Sequence, residues 1–364
     1  MATDFLEEIK AIGGNSVTKC YQCGSCTANC PLTARIKAFP RRTIRLVQLG
    51  LRERALRSPD IWLCSGCTTC RAACPRNADP GEIMAALRRC AYTEYSCLPG
   101  PTRKLNNSSK LVAALAVSIL AVILLLTLFT TRMADGTGAV NFADFLPFSF
   151  VDAAGLLLGV TVAVGIALNG LTMWRMLSRG SDDPRRATIS QRLRELVNVA
   201  ILEVGLQRSL RKCNTGRLQW VAHLSVVIGF AGAALTTMAV YSLNDGGRPF
   251  PLDNPIKILG NASAALLIFG GATLIWQRAQ SKNTFGRLYF QDSLFLVLLF
   301  VVAITGTFSE VGRLTNSSLL AYSFYSIHLA SATLLLGLAP YTKFAHAIYR
   351  PLAMYFAKLR GWPD

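Results

Sequence analysis

Acidic residues are scarce in this chain: 20 Asp and Glu stand against 38 Lys and Arg, and the formal net charge is +18. Such an excess could suit nucleic acid, but most of it lies in the connections between long apolar stretches and in an arginine-rich N-terminal part. Basic connections of that kind face anionic lipid, and a basic soluble part suits an acidic protein partner. We therefore expect membrane lipid and no nucleic acid among the partners.

An apolar signal segment is also missing from the N-terminus, which reads Met-Ala-Thr-Asp-Phe-Leu-Glu-Glu. Without such a segment the N-terminal part is expected to stay in the reducing cytoplasm. This expectation argues against structural disulfides among the 11 cysteines of the chain.

Eight of those cysteines form two runs of the same design, each ending in Cys-Pro: Cys20, Cys23, Cys26 and Cys30, then Cys64, Cys67, Cys70 and Cys74. In two-cluster ferredoxins, three thiolates spaced in this way bind one 4Fe-4S cluster, and the fourth Cys, beside a Pro, reaches the other cluster. The spacing thus predicts two clusters, whose ligands are Cys20, Cys23, Cys26 and Cys74 for one and Cys64, Cys67, Cys70 and Cys30 for the other.

Zinc is the alternative metal that such a cysteine set could bind. Tetrahedral zinc usually takes its four ligands from two separated pairs and calls for neither a third Cys nor a trailing Cys-Pro. Cys90, Cys97 and Cys213 lie outside the runs and are expected to be buried without a cofactor.

Alternating strand patterns are missing as well, and apolar residues between the two runs show helical spacing at Ile44, Val47, Leu51 and Leu56. A further helix is expected over 81–92. We predict an all-α fold, in which a small α-helical ferredoxin domain over residues 1–105, rather than a βαβ ferredoxin, precedes a six-helix transmembrane bundle.

Six apolar stretches of about 20 residues are each long enough to cross a hydrocarbon core of roughly 30 Å. They are Leu111 to Thr130, Phe150 to Trp174, Leu218 to Tyr241, Ile256 to Trp276, Tyr289 to Phe308 and Ala321 to Ile348. They define a membrane domain over 106–350, followed by a cytoplasmic tail at 351–364.

Basic residues set the expected orientation, because they cluster in the connection Arg175 to Arg217, in the connection that holds Arg278, and in the tail. By the positive-inside rule, both termini and the iron–sulfur domain lie on the cytoplasmic side of the inner membrane. Within the first of these connections, apolar residues from Ile189 to Val204 share one helical face, opposite Arg192 and Arg194. The segment near 185–212 is therefore expected to be an amphipathic helix lying on the membrane surface.

Histidine is rare, and all three copies lie in or at the end of apolar stretches, where an ionisable side chain is a functional candidate. With a rise of about 1.5 Å per residue, His223 lies about 10 Å to the cytoplasmic side of the bilayer middle, and His346 roughly 17 Å to the same side. On a continuous sixth helix, His328 points the same way as His346 but lies about 10 Å to the opposite side. His223 and His346 are therefore predicted to bind one haem b.

His328 has no partner of matching depth, because the corresponding position on the third stretch is near Ala233. It would bind a second, five-coordinate haem or hydrogen-bond a quinone. The simpler alternative for each membrane histidine is a hydrogen bond to a neighbouring helix. Four charged residues at helix ends, Asp152, Lys257, Asp292 and Glu310, are candidates for proton exchange with a quinone, although most such charges are simply solvated.

The N-terminal motifs resemble a known family. Ala11-Ile-Gly-Gly14 followed by Cys20-Tyr-Gln-Cys23-Gly-Ser-Cys26 is similar to the C subunit of heterodisulfide reductase. Trp220-Val-Ala-His223 and the segment from His328 to His346 resemble the gamma subunit of respiratory nitrate reductase, matching three of its four haem-ligating histidines. A fusion of the two is similar to the QmoC family, the membrane subunits of quinone-interacting membrane-bound oxidoreductases.

The resemblance implies a role in an oxidoreductase complex with two flavoprotein subunits, themselves similar to heterodisulfide reductase A proteins. Electrons would pass between menaquinol and adenylylsulfate reductase in dissimilatory sulfate metabolism. Nothing beyond the redox ligands resembles a substrate site, so catalytic residues stay unknown. A heterodisulfide reductase-type or sulfite-reduction-linked membrane protein, or an iron–sulfur anchor without haem or quinone, is the alternative.

Overall fold

The structure is a computed structural model, and it describes residues 2–33, 38–130, 140–179, 187–211, 217–243, 250–280 and 289–361. Cys213 and several of the basic residues in the connections lie outside these ranges. Within them the fold is all-α, as predicted, and contains no strand.

Short helices build the N-terminal domain. They are α1 (Ala2–Ile9), α2 (Ser25–Ala28), α3 (Arg41–Gln48), α4 (Arg52–Leu56), α5 (Asp60–Leu63), α6 (Thr69–Ala72), α7 (Pro80–Glu94) and α8 (Pro99–Asn107). The longest, α7, begins where Asp79 accepts a hydrogen bond from the Glu82 amide and Pro80 occupies the first turn. Both features favour a helix start, since they satisfy or remove amide donors that have no partner within the helix.

Six helices in the part of the chain that the structure describes are long and apolar enough to cross a membrane. They are α9 (Ser109–Thr130), α11 (Phe148–Ser178), α14 (Arg217–Leu243), α15 (Pro255–Gln280), α16 (Phe290–Leu314) and α17 (Ser318–Gly337), with the short α10 (Phe142–Phe145), α12 (Ile189–Asn198) and α13 (Arg208–Arg211) between them. Small residues let α14 and α15 approach closely: a methyl group on Gly270 would lie only 2.5 Å from the carbonyl of Ala222.

The sixth apolar stretch is shorter than predicted. The helix α17 ends at Gly337, and two 3₁₀ turns, the first containing Pro340, connect it to α18 (His346–Leu359). Proline lacks the amide proton that a continuous helix would need, so the chain turns here. The prediction that His328 and His346 share one helix face is therefore wrong.

The last helix, α18, belongs to the core of the N-terminal domain and is not a separate tail. Its Tyr349 is buried and contacts the aromatic rings of Trp62, Tyr92 and Tyr95, with Trp62 at a centroid distance of 5.2 Å. Burial of large rings is the main source of packing energy in such a cluster. The cysteine-rich part and the membrane helices are thus joined through α18.

The amphipathic segment is helical in the part that the structure describes, residues 187–211. Thr188 and Gln191 form a capping box at the start of α12, and the chain continues as a π-helix over Val199–Gly205. Ile189 is 78% exposed and Leu193 is 59% exposed. These exposed apolar side chains are available for contact with lipid, as the prediction of a surface helix requires.

Candidate functional site: two cysteine cavities and a histidine pair

The two cysteine runs exchange their last members in space. One cavity is lined by Cys20, Cys23, Cys26 and Cys74, and we name it the outer cavity. A second is lined by Cys30, Cys64, Cys67 and Cys70, and we name it the inner cavity. These are the two sets that the spacing predicted, and α2 and α6 pack against each other to bring the fourth cysteine of each run across.

Backbone geometry explains how each run wraps its cavity. Gly24 has a φ of +93° and starts α2, which carries Cys26; Thr68 has a φ of +59° and starts α6, which carries Cys70. A left-handed residue turns the chain sharply before each helix. The two runs therefore repeat one local fold as well as one sequence pattern.

The thiols suit an iron–sulfur group. Burial raises the pKa of Cys70 and of Cys30, and the neighbouring thiols Cys64 and Cys67 raise both further. Thiolates packed together in this way need cationic iron to compensate their charge. Among the residues that the structure describes, no three His, Cys, Asp or Glu side chains converge as ligands of one metal ion would. A cubane needs no such convergence, because each thiolate binds a different iron.

Gln48 is a supporting residue that the sequence did not reveal. Its side-chain amide donates to the carbonyls of Cys20 (2.7 Å) and Val17 (3.1 Å), and its oxygen accepts from Gln22 (2.9 Å). Gln22 in turn lies 3.7 Å from the sulfur of Cys20. Only the packing of α3 against the first run brings Gln48 to this place, so no local pattern marks it.

The outer cavity lies at the surface of the domain. Cys23 is exposed, the ring of Tyr21 is 58% exposed, and the guanidinium of Arg76 lies 4.7 Å from the centre of that ring. Lys19 and Arg41 are also exposed beside it. The surroundings are therefore basic and open to a partner.

The inner cavity lies beside α7 and α18. Arg88 donates to the carbonyl of Cys64 at 2.9 Å, and Arg350 on α18 donates to Ser65 at 3.0 Å. Arg350 is four residues beyond His346, one helical turn along α18. Arg350 thus links Ser65, which lines the inner cavity, to the helix that begins at His346.

His223 and His346 lie side by side, with ring centres 6.4 Å apart and ring planes at 68°. Two imidazoles bound to one transition metal at about 2 Å per bond have ring centres about 6 Å apart. The Nδ1 of His223 lies 2.9 Å from Gln207 Oε1, and the Nδ1 of His346 lies 2.5 Å from the Lys343 carbonyl. Oxygen partners on Nδ1 fix the ring and leave Nε2 for a metal, as the hydrogen-bond partners of histidine ligands do. The ring separation and the Nδ1 partners are compatible with two imidazoles that bind one metal ion from opposite sides.

His328 lies elsewhere, against α16. Its Nδ1 is 2.9 Å from the carbonyl of Val302 and 3.4 Å from the hydroxyl of Thr305, and its ring packs on Gly306. These contacts include the hydrogen bond to a neighbouring helix that the simpler alternative requires. They engage Nδ1, as in the other two histidines, so a haem or a quinone at Nε2 of His328 stays a prediction.

A buried ion cluster, which we name the junction cluster, joins the N-terminal domain to the membrane helices. Arg89 of α7 donates to Asp292 of α16, and their side chains are 5% and 12% exposed. Lys343 lies 3.1 Å from Asp292, and Arg278 donates to the Asp292 main-chain carbonyl at 3.0 Å. Asp292, a sequence candidate for proton exchange, is thus held by cations, and Glu310 is likewise paired with Lys257 at 2.8 Å.

Two cysteine cavities on an α-helical domain, followed by six membrane-length helices, define an iron–sulfur protein with a membrane-capable domain. Residues 16–78 match the family of 4Fe-4S dicluster domains. Residues 100–361 match the family described as citrate utilization protein B. Because the second match covers most of the chain, the chain belongs to the citrate utilization protein B family.

The N-terminal part is similar to proteins of heterodisulfide reductases. It is 36% identical over 85 residues to the C subunit of the H₂:CoB-CoM heterodisulfide,ferredoxin reductase of Methanothermobacter marburgensis, covering 23% of this chain and 46% of that one. It is 39% identical over 92 residues to a protein of Archaeoglobus profundus described as similar to the C subunit of heterodisulfide reductase, covering 25% and 48%.

A third relative is an iron–sulfur C subunit of the CoB–CoM heterodisulfide reductase of Methanocaldococcus jannaschii, at 40% identity over 92 residues, covering 24% of this chain and 49% of that one. The chain spans about half the length of these curated relatives. No solved structure matches the chain significantly. The N-terminal domain is thus an iron–sulfur electron-transfer domain of the type found in heterodisulfide reductase C subunits.

Proposed function

We propose that this protein is the membrane electron-transfer subunit of a quinone-linked oxidoreductase complex of the QmoC type. Menaquinol would give up two electrons and two protons at the membrane domain, and a flavoprotein partner would accept the two electrons on the cytoplasmic side. The observation that carries the proposal is the pairing of His223 with His346. The helix of His346, α18, also contacts Ser65 at the inner cavity.

The contacts of the chain's own residues support an order of electron transfer from the haem to the inner cluster and then to the outer cluster. His223 and His346 would hold a haem b through their Nε2 atoms, while Gln207 and the Lys343 carbonyl orient the rings. Cys30, Cys64, Cys67 and Cys70 would hold the inner 4Fe-4S cluster, and Cys20, Cys23, Cys26 and Cys74 the outer one. Haem and cubanes each supply one-electron redox steps when bound. Arg350 connects the histidine helix to Ser65, which lines the inner cavity, so we place the inner cluster next to the haem and the outer cluster last.

The exposed surroundings of the outer cavity suit a soluble partner. Lys19, Arg41 and Arg76 surround exposed Tyr21 with positive charge, which favours an acidic surface on the other protein. We propose two flavoprotein subunits similar to heterodisulfide reductase A proteins as that partner, and adenylylsulfate reductase as the enzyme they serve. This arrangement places the N-terminal domain and both termini on the cytoplasmic side, as the basic connections suggest.

An anaerobic optical spectrum of the purified protein tests the quinol step. Addition of a menaquinol analogue should produce the absorption band of reduced haem b. If dithionite produced the band and the quinol analogue did not, haem would be present and the quinone proposal would be overturned. If neither reductant produced it, the chain would be an iron–sulfur anchor without haem.

The cysteine assignment predicts which cluster each substitution removes. Cys30→Ser should lower the iron content from about eight to about four per chain, because it removes one ligand of the inner cluster alone. Iron and sulfide analysis together with low-temperature EPR would measure this. Cys90→Ser, which alters a buried cysteine outside both cavities, serves as the control and should keep the full iron content. Loss of the cluster of Cys20, Cys23 and Cys26 in Cys30→Ser would contradict the assignment.

A second candidate follows from the family match over residues 100–361. The same relay would then serve an enzyme of citrate utilization instead of one of sulfate metabolism. Purification of the complex from its native membrane and identification of the flavoprotein bound to it separates the two. A flavoprotein similar to heterodisulfide reductase A proteins favours the first candidate, and one that oxidises tricarboxylates favours the second.

A further inference from the structure

A basic cavity of about 440 Å³ lies at one end of the membrane helices, away from both cysteine cavities and from the histidine pair. Helices α11, α12 and α18 form its walls. Its lining residues are Trp174, Arg175, Ser178, Arg179, Arg192, Tyr355 and Leu359. At about 30 Å³ per water molecule, the volume equals that of about 15 waters, and it falls within the range of small-molecule sites.

The cavity lies at the expected boundary between lipid and water. With 31 residues, α11 is about 46 Å long, whereas a hydrocarbon core is about 30 Å thick. Its last turn, which contributes Trp174 and Arg175, therefore lies at the membrane surface. Helix α12 contributes Arg192 to the cavity, and its apolar side chains Ile189 and Leu193 are exposed.

Two kinds of side chain meet in the cavity. Arg175, Arg179 and Arg192 bring three guanidinium groups, and Arg192 also donates from Nε to the Ala187 carbonyl at 3.2 Å. The rings of Trp174 and Tyr355 stack with centroids 6.0 Å apart and form an apolar wall. Glu195, an acid on α12, is paired with Arg194 at 3.1 Å and lies 3.8 Å from Lys358.

The geometry points to a binding site for the phosphate headgroup of an anionic phospholipid. Guanidinium groups recognise phosphate oxygens through paired hydrogen bonds, and basic pockets at the cytoplasmic ends of membrane helices attract anionic headgroups. The site is larger than a free phosphate ion requires. Its apolar wall and the apolar face of α12 would accommodate the glycerol and the first part of the acyl chains. The site is independent of haem and quinone chemistry.

Native mass spectrometry of the full chain in detergent, after removal of co-purified lipid, tests the site. The probes are phosphatidylglycerol, phosphatidylcholine and inorganic phosphate. Phosphatidylglycerol should bind to the wild type in preference to phosphatidylcholine. The variant Arg175→Gln/Arg179→Gln/Arg192→Gln should bind phosphatidylglycerol at least about tenfold more weakly than a matched control, because each arginine contributes to the attraction of the headgroup.

The matched control is Arg103→Gln/Lys104→Gln/Lys110→Gln, which removes the same charge from exposed positions near the start of α9. A second variant, Ser178→Trp, fills the cavity but keeps all three arginines, and it too should lose the preference for phosphatidylglycerol. Iron content and monodispersity report whether each variant is folded.

The possible results separate the sources of phosphate chemistry. Equal losses in the pocket variant and the matched control would show attraction to net charge alone and would overturn the site. Inorganic phosphate that binds as well as phosphatidylglycerol and competes with it would overturn the lipid assignment. Full binding by Ser178→Trp would place the lipid elsewhere.

Discussion

His223→Leu should abolish the absorption of low-spin haem b while leaving both iron–sulfur clusters in place. The ring centres of His223 and His346 lie 6.4 Å apart. His223 is not part of the packed core around the cysteine cavities and α7, so its replacement should leave that core intact. The variant would remove one of the two imidazoles that would hold the haem. The pyridine haemochrome assay and the optical spectrum would measure the haem, and iron and sulfide analysis would measure the clusters.

His328→Leu is the matched control, because it removes a histidine that bonds to Val302 of the neighbouring helix. It should keep the haem spectrum of the wild type. A high-spin haem retained in His223→Leu would still identify His223 as a ligand. An unchanged low-spin spectrum in His223→Leu, or its loss in His328→Leu, would contradict the assignment of the pair.

Asp292→Asn should destabilise the protein by about 3 to 5 kcal/mol, the usual cost of removing one partner from a buried ion pair. The substitution would leave the Arg89 guanidinium, which is 5% exposed, without its carboxylate, and it would also remove the charge that pairs with Lys343. The thermal unfolding midpoint in detergent, followed by circular dichroism, would measure the loss.

The same variant should loosen the N-terminal domain from the membrane helices, because Arg89 lies on α7 and Asp292 on α16. Limited proteolysis should then cut between the two parts faster than in the wild type. The control Glu7→Gln removes a carboxylate from an exposed pair with Lys10 and should cost at most about 1 kcal/mol. A midpoint for Asp292→Asn equal to that of Glu7→Gln would contradict the structural role of the junction cluster.

A double replacement separates the contribution of the Arg89–Asp292 pair to stability from that of the neighbouring cations. Arg89→Met/Asp292→Leu removes both charges and keeps apolar volume, so it should recover much of the stability that Asp292→Asn loses. A double variant as unstable as the single one would show that the other partners, Lys343 and Arg278, carry the effect.

The cysteine sets and the membrane-length helices could be predicted from the sequence because both rest on local patterns. Three cysteines with two residues between each pair can surround one cavity. In the structure, each cavity is lined by the four cysteines that the sequence assigned to it. In a membrane, a long apolar run satisfies its backbone hydrogen bonds by forming a helix. The predicted and observed helix bounds agree to within six residues, except at the end of the sixth helix.

The sixth helix shows where local pattern fails. Apolar residues continue past Gly337, so hydropathy alone extends the helix to Ile348, but Pro340 and the packing of α18 into the N-terminal core end it. His346 reaches His223 by way of that turn and not along a continuous helix. The structure brings His346 beside His223, but the depth argument assumed a continuous sixth helix that the chain does not form.

By itself, the sequence determined which side chains are candidates to hold the redox groups: eight cysteines in two runs and three histidines in or beside apolar stretches. Only the tertiary structure decided how these parts are connected, through Arg350 to the inner cavity, Arg89 to Asp292, and three arginines around one membrane-surface cavity. The physical reason is distance along the chain. Spacing and periodicity act over a few residues, whereas Arg89 and Asp292 lie 203 residues apart and meet only when the helices pack.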